Sequence, residues 1–236
     1  MNVKAGLSVI ALLASAGTAG AGWLECSHRA PREATVEAGG AHRIHVIGRA
    51  GELKIQGHQG ASAVTVHGTA CASTEERLAS VRLIAERRGD VVYVEAAIPE
   101  EWFGGAAALD LQLDVPSSIP LDVEDGSGSV EIRNVAALKI DDGSGEMRIE
   151  NVAGAVSVTD GSGDIIIDHA GSVVIEEDGS GGVRITDVKG SVVVRDDGSG
   201  SIDVSDVGGD FRVEHDGSGG IAHEGVRGTV KIPRRR

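Results

Sequence analysis

Apolar and polar residues alternate along most of this chain, in short runs rather than long ones. Val183-Arg184-Ile185 is one such run and Val192-Val193-Val194 another, with Asp187-Val188-Lys189-Gly190 between them. Alternation with a period of two marks a β-strand with one buried face. The same pair of runs recurs around a fixed signpost. Asp-Gly-Ser-Gly begins at Asp125, Asp142, Asp160, Asp178, Asp197 and Asp216, at spacings of 17, 18, 18, 19 and 19 residues. A repeat this regular predicts a stacked array. The predicted fold is all-β: a parallel β-solenoid with two short strands per coil of about 18 residues, six clear coils, and irregular coils before them.

Each coil needs two corners. Asp-Gly-Ser-Gly supplies one, because glycine admits positive φ and aspartate bonds nearby amides. A polar corner near Asn134, Asn151, His169, Asp187, Asp206 and Glu224 supplies the other. Stacking at roughly 4.8 Å per coil then sets up two inward ladders. One is Val130, Met147, Ile165, Val183, Ile202, Ile221; the other is Leu138, Val156, Val173, Val192, Phe211, Val230. A single coil has too few aliphatic side chains to offset the entropy of ordering it, so the coils fold only as a stack. Aromatics make up 2% of the chain, which suits two sheets packed close together over Val, Ile and Leu.

Three segments are predicted: a signal peptide over 1–21, an irregular β region over 22–120 with a short helix and a hairpin, and the regular solenoid over 121–236. Lys4, the apolar run Leu7 to Ala16, and Ala19-Gly20-Ala21 have the layout of a cleaved export signal. Trp23-Leu24-Glu25 ahead of Cys26 does not form a lipoprotein cleavage box. Ile44/Val46, Leu53/Ile55 and Val64/Val66 are alternating pairs. Ser73-Thr74-Glu75-Glu76 is a helix start. Val81 to Glu86 and Val91 to Ala96 form a hairpin about Arg88-Gly89-Asp90, and Leu109 to Val115 is a strand. Pro99 to Ala108 is a surface loop carrying Trp102 and Phe103. In an exported chain the two cysteines, Cys26 and Cys71, read as a disulfide.

Charge narrows the partners. The formal net charge is −14, and removal of Lys4 with the signal makes it −15. Phosphate-driven binding to nucleic acid is excluded; cationic partners and metal ions are favoured. No transmembrane span is expected in the mature chain.

These features together resemble the bacterial adhesin-type β-strand-repeat family of unknown function. The resemblance rests on the signal segment, Cys26, Gly51-Glu52-Leu53-Lys54-Ile55-Gln56-Gly57, Cys71-Ala72-Ser73, Val115-Pro116 and the six Asp-Gly-Ser-Gly coils. It implies an exported β-solenoid and supplies no catalytic residues.

The candidate chemistry lies in the stacked aspartates Asp125, Asp142, Asp160, Asp178, Asp197 and Asp216. Their mutual repulsion must be offset by corner amides and hydroxyls or by a calcium ion. Corner amides are the main expectation and calcium the alternative; no other cofactor is expected. Acid pairs such as Glu176/Glu177/Asp178 and Asp196/Asp197 could serve a carbohydrate-active enzyme only if their environments differed, and a regular repeat gives them like environments. The leading reading is a non-enzymatic exported structural or binding module, with an envelope or extracellular partner and self-association along an exposed sheet end. A calcium-dependent binding roll comes next and a carbohydrate-active enzyme last.

Overall fold

The computed structural model describes residues 26–99 and 106–233. The expected signal peptide, the loop side chains Trp102 and Phe103, and Arg234–Arg236 lie outside the described residues.

From Leu121 on, the chain winds as a parallel solenoid. β8 (Leu121–Asp125), β9 (Val130–Val135) and β10 (Leu138–Asp142) begin it. β11 (Met147–Asp160), β12 (Ile165–Asp178), β13 (Gly181–Val188), β14 (Val192–Val207), β15 (Phe211–Glu224) and β16 (Val230–Lys231) continue it. Equivalent residues pair coil to coil. Met147 lies opposite Val130 and Ile165, and Val156 opposite Leu138 and Val173. Both predicted ladders point inward and are buried, except at the last coil, where Ile221 and Val230 are only partly covered.

The second corner has a clear backbone cause. Asn134, Asn151, His169, Asp187 and Asp206 all adopt positive φ between 53° and 58°, and Gly225 (φ 66°) takes the same place in the last coil. Asn, Asp and Gly tolerate this left-handed conformation best, which explains why the corner is polar. The last coil's turn residue is therefore Gly225, one position after the predicted Glu224.

The region before the repeat is part coil and part cap. β2 (Arg43–Ile47) runs parallel to β8, and β3 (Leu53–His58) runs parallel to β9, so this segment is a true coil. β6 (Val91–Ala97) and β7 (Ala107–Pro116) extend the two sheets in parallel by one more layer. The expectation of coils fails at Val64/Val66, which lies on β4 (Ala63–Ala72), and antiparallel pairing also brings in β1 (His28–Glu37) and β5 (Arg82–Arg88). β1 pairs antiparallel with β4, β4 with β7, and β5 with β6. The predicted hairpin is β5–β6, turning at Gly89 (φ 64°). The predicted helix is α1 (Glu75–Ser80), with the Thr74 hydroxyl accepting from the Arg77 amide at 3.3 Å. Arg32 on β1 donates to the carbonyls of Val81 (3.0 Å) and Leu78 (2.9 Å), which fastens the helix end to the cap.

Cys26 and Cys71 form a disulfide with Cα atoms 5.5 Å apart, next to the β1–β4 pairing. Closing a loop of 45 residues constrains the unfolded chain. Because β1 stays paired along its length, the expected loss for Cys26→Ser with Cys71→Ser is about 2–3 kcal/mol. Urea unfolding with and without the pair measures it; unchanged stability would mean the bridge is dispensable to the cap.

Candidate functional site

Strand alternation does not stop at the last aliphatic residue of each run. In Val123-Glu124-Asp125, Ile140-Asp141-Asp142 and Val158-Thr159-Asp160 the aspartate falls on the inward phase. The six aspartates pair in register, Asp125 beside Asp142, then Asp160, Asp178, Asp197 and Asp216. Relative exposure is 8% for Asp125 and 0–2% for the next four, so the row is sealed inside the solenoid. Asp216, on the outermost coil, is only partly buried.

The predicted amide support is present but weak, because much of each corner is used between coils. The corner glycine amides are already engaged between coils. Gly143 donates to the Asp125 carbonyl (3.1 Å), Gly161 to that of Asp142 (3.0 Å), and Gly145 and Gly163 to the carbonyls of Ser162 and Ser180 (both 2.9 Å). The nearby corner amides pull on the carboxylates of Asp125, Asp142, Asp160 and Asp178 without meeting them in good hydrogen-bond geometry, and neither oxygen of these four or of Asp197 has a well-formed partner. Burial, which disfavours the charged form, therefore dominates. It pushes Asp125 up to about 7, with the Asp142 charge adding to it and the Gly126 and Arg49 amides opposing. Asp142 is raised by burial against the pull of the Ser144 and Gly143 amides. Asp160 and Asp178 rise to about 6, and Asp197 to about 7 with Asp178 beside it, burial again leading.

The neighbouring candidates separate. Glu176, Glu177 and Asp196 point outward, whereas Asp178 and Asp197 join the inner row. Glu176 accepts an ion pair from Arg195 at 2.7 Å. Among the described residues no group of three or more His, Cys, Asp or Glu side chains is arranged to hold a metal ion. His223 holds the inward register opposite Val204, its ring 6.0 Å from that of Phe211, and it is exposed because no further coil covers it.

Sequence reasoning missed a cavity where the row begins. The coil β2–β3 turns at Gly48-Arg49-Ala50-Gly51, in register with Asp125-Gly126-Ser127-Gly128: Gly48 donates to the Glu124 carbonyl (2.7 Å) and Ala50 bridges Ser127. Gly48 thus stands where later coils carry aspartate. A Cβ there would run into the Asp125 carboxylate. On the outward side of this corner is a cavity of about 360 Å³ with a largely apolar lining, formed by Ile47, Ala50, Ile98 and Pro99 together with Arg49, Glu124, Asp125 and Gly126. Aligning the corner of this coil with the six copies would have shown the substitution of Gly for Asp.

Comparisons with known proteins add little. No protein-family profile matches the chain, and no curated protein does. Among solved structures, the chain is similar to a "putative cell adhesion protein" from Clostridium sporogenes (12% identity, 88% of this chain and 100% of that one, TM-score 0.33). It is similar to a "putative adhesin" from Bacteroides fragilis (13%, 90% and 100%, TM-score 0.35). A third is a "putative lipid binding protein" from Parabacteroides distasonis (12%, 88% and 98%, TM-score 0.36). At these values the likenesses assign neither activity nor partner.

Proposed function

We propose that this chain is a non-enzymatic binding module of the cell envelope, exported and built as a rigid rod. One observation carries the reading: the titratable groups of the interior repeat in equivalent environments, and burial moves them all in the same direction. General acid–base catalysis needs two groups driven apart, not a row driven together. What varies from coil to coil is the outer surface. Arg133 pairs with Glu131 (2.8 Å) and Glu150 (3.2 Å), Arg148 with Glu146 (3.3 Å), and Arg195 with Glu176, giving flat faces of alternating charge. Such faces suit recognition of an extended partner. The Cys26–Cys71 disulfide supports an oxidising, exported location. No helix among the described residues is long and apolar enough to cross a membrane.

The test is co-sedimentation of the chain lacking residues 1–21 with isolated envelope fractions at low and high salt. Salt-sensitive retention is expected; no retention on any fraction, or release of sugars from polysaccharide, would sink the reading. A calcium roll is tested in the same preparation. Its melting temperature would fall with chelator, whereas an unchanged melt is expected here, because the carboxylates face a packed interior rather than an open corner.

A further inference from the structure

We propose that the open C-terminal end of the solenoid is the contact surface for a second copy of this chain, and that two rods join there end to end about a two-fold axis. The inference goes beyond the binding-module reading and does not need it, since a rod that stays on no envelope fraction can still dimerise.

Three observations point to this end. The first is unpaired backbone. Along the solenoid, the amides of inward residues donate to the following coil: Val130 to the Glu146 carbonyl (2.9 Å), Met147 to that of Asp164 (2.8 Å), Val192 to that of Asp210 (2.9 Å) and Phe211 to that of Thr229 (3.0 Å). Among the described residues no coil follows β16 or the second half of β15. Ile221, His223 and Val230 stand in the same phase as those donors, so their amides and carbonyls aim off the end. Such an edge is a template for another strand. The second observation is apolar surface. Ile221, Val226 and Val230 are only partly covered, and Ile232, 40% exposed, is the one large hydrophobic side chain left exposed among the described residues. The third is charge. Residues 125–215 hold 19 acidic and 7 basic side chains, so the flanks of two rods repel; residues 216–233 hold two of each, so their ends do not.

A second copy matches this end better than other occupants do. The last coil presents two edges, one per sheet, at the spacing of the chain's own coils. A single extended peptide covers one of them and leaves the other open. Turning one rod over onto another lays strand against strand antiparallel, so both edges gain hydrogen bonds at once. It also sets the exposed Glu224 of each copy toward the basic side chains, Arg227 and Lys231, of the other. Head-to-tail growth meets a closed end instead. The outer strands of the cap carry Pro31 on β1 and the exposed Arg82, Glu86 and Arg88 on β5, residue types that guard an edge. A two-fold contact therefore closes the assembly at two rods.

Sedimentation velocity and small-angle scattering of the chain lacking residues 1–21 test this, from about 5 to about 500 μM in about 0.15 M salt, which screens the like net charges of the rods. A monomer–dimer equilibrium is expected, with Kd on the order of 10–100 μM, because an end one coil deep offers less than the roughly 800 Å² per partner of a stable interface. The dimer's maximum dimension should approach twice that of the monomer. Ile232→Lys removes an apolar contact and sets like charges together; it should weaken the dimer about ten-fold or more while leaving the melting temperature of dilute protein unchanged. Glu177→Lys, an exposed change on the flank, should leave Kd within about two-fold. A chain that stays monomeric throughout would overturn the proposal. So would a mass that keeps growing with concentration, a dimer no longer than the monomer, or a dimer indifferent to Ile232→Lys. If Ile232→Lys lowers the melting temperature, the dimension of the unaltered dimer still decides.

Discussion

Replacing Gly163 with alanine is expected to destabilise the protein by on the order of 4–5 kcal/mol, among the largest effects a single methyl group can have. Gly163 is the fourth residue of its corner, with φ at +150°, a conformation nearly closed to residues with a side chain. Its Cβ would also fall inside the carbonyl group of Gly145, the equivalent residue one coil earlier. That carbonyl belongs to backbone, so no rotamer change relieves the collision, and moving the backbone breaks the 2.9 Å bond from the Gly163 amide to Ser180. Backbone strain and overpacking thus act at one atom. Gly128, Gly145, Gly181, Gly200 and Gly219 stand in the same relation to their neighbours, so the corner glycines fix the distance between coils. Gly220→Ala is the matched control. It adds the same methyl next to a corner, where nothing lies within 4 Å, and is expected to stay within about 0.5 kcal/mol of the parent. Urea unfolding followed by circular dichroism separates the two. A Gly163→Ala protein as stable as the control would mean that the coils do not stack this closely.

The same contrast shows what was readable from the sequence. Val130, Met147, Ile165, Val183 and Ile202 could be placed on one inward ladder because each sits at a constant offset from its Asp-Gly-Ser-Gly corner, and a period of two leaves no choice of face. The hairpin about Gly89 and the helix capped by Thr74 were readable for equally local reasons. β1 was not. In His28–Glu37 the buried phase is carried by small or polar residues and only Val36 is fully buried, so no apolar period announces the strand; its partner β4 defines it. Residue type alone suggests a turn role for the aspartates, yet the alternation runs two residues past Val123, Ile140 and Val158 and places them inside. Position in the period outweighed residue type. Gly48, where the row ends, stayed hidden because its corner is a degenerate copy of the motif with glycine in place of aspartate.

Raising the pH from about 5 to about 8 is expected to weaken the fold, the reverse of what paired carboxylates do. Asp125 and Asp197 are held at about 7, Asp160 and Asp178 at about 6, and Asp142 is also raised, all chiefly by burial. In the unfolded chain these groups lose their protons near pH 4. Between about pH 4 and 7 the native state therefore holds more protons than the unfolded one, and stability falls with rising pH across that window. The favourable contribution is complete below the lower limit and gone above the upper. One such carboxyl accounts for on the order of 3 kcal/mol, and a row whose members share a shrinking set of protons adds to that less than proportionally. For a chain of this length a few kcal/mol moves the melting temperature by about 10 °C, which is the expected fall between pH 5 and 8. Asp178→Asn with Asp197→Asn isolates the row. The amide is neutral at every pH and can donate to the next residue in the stack, as in other asparagine ladders. The double variant should therefore melt higher than the parent near pH 8 and show a flatter pH profile. A melting temperature that instead climbed through the window, in parent and variant alike, would mean that something holds the row ionised. The aspartates would then be paired rather than sealed and unpartnered.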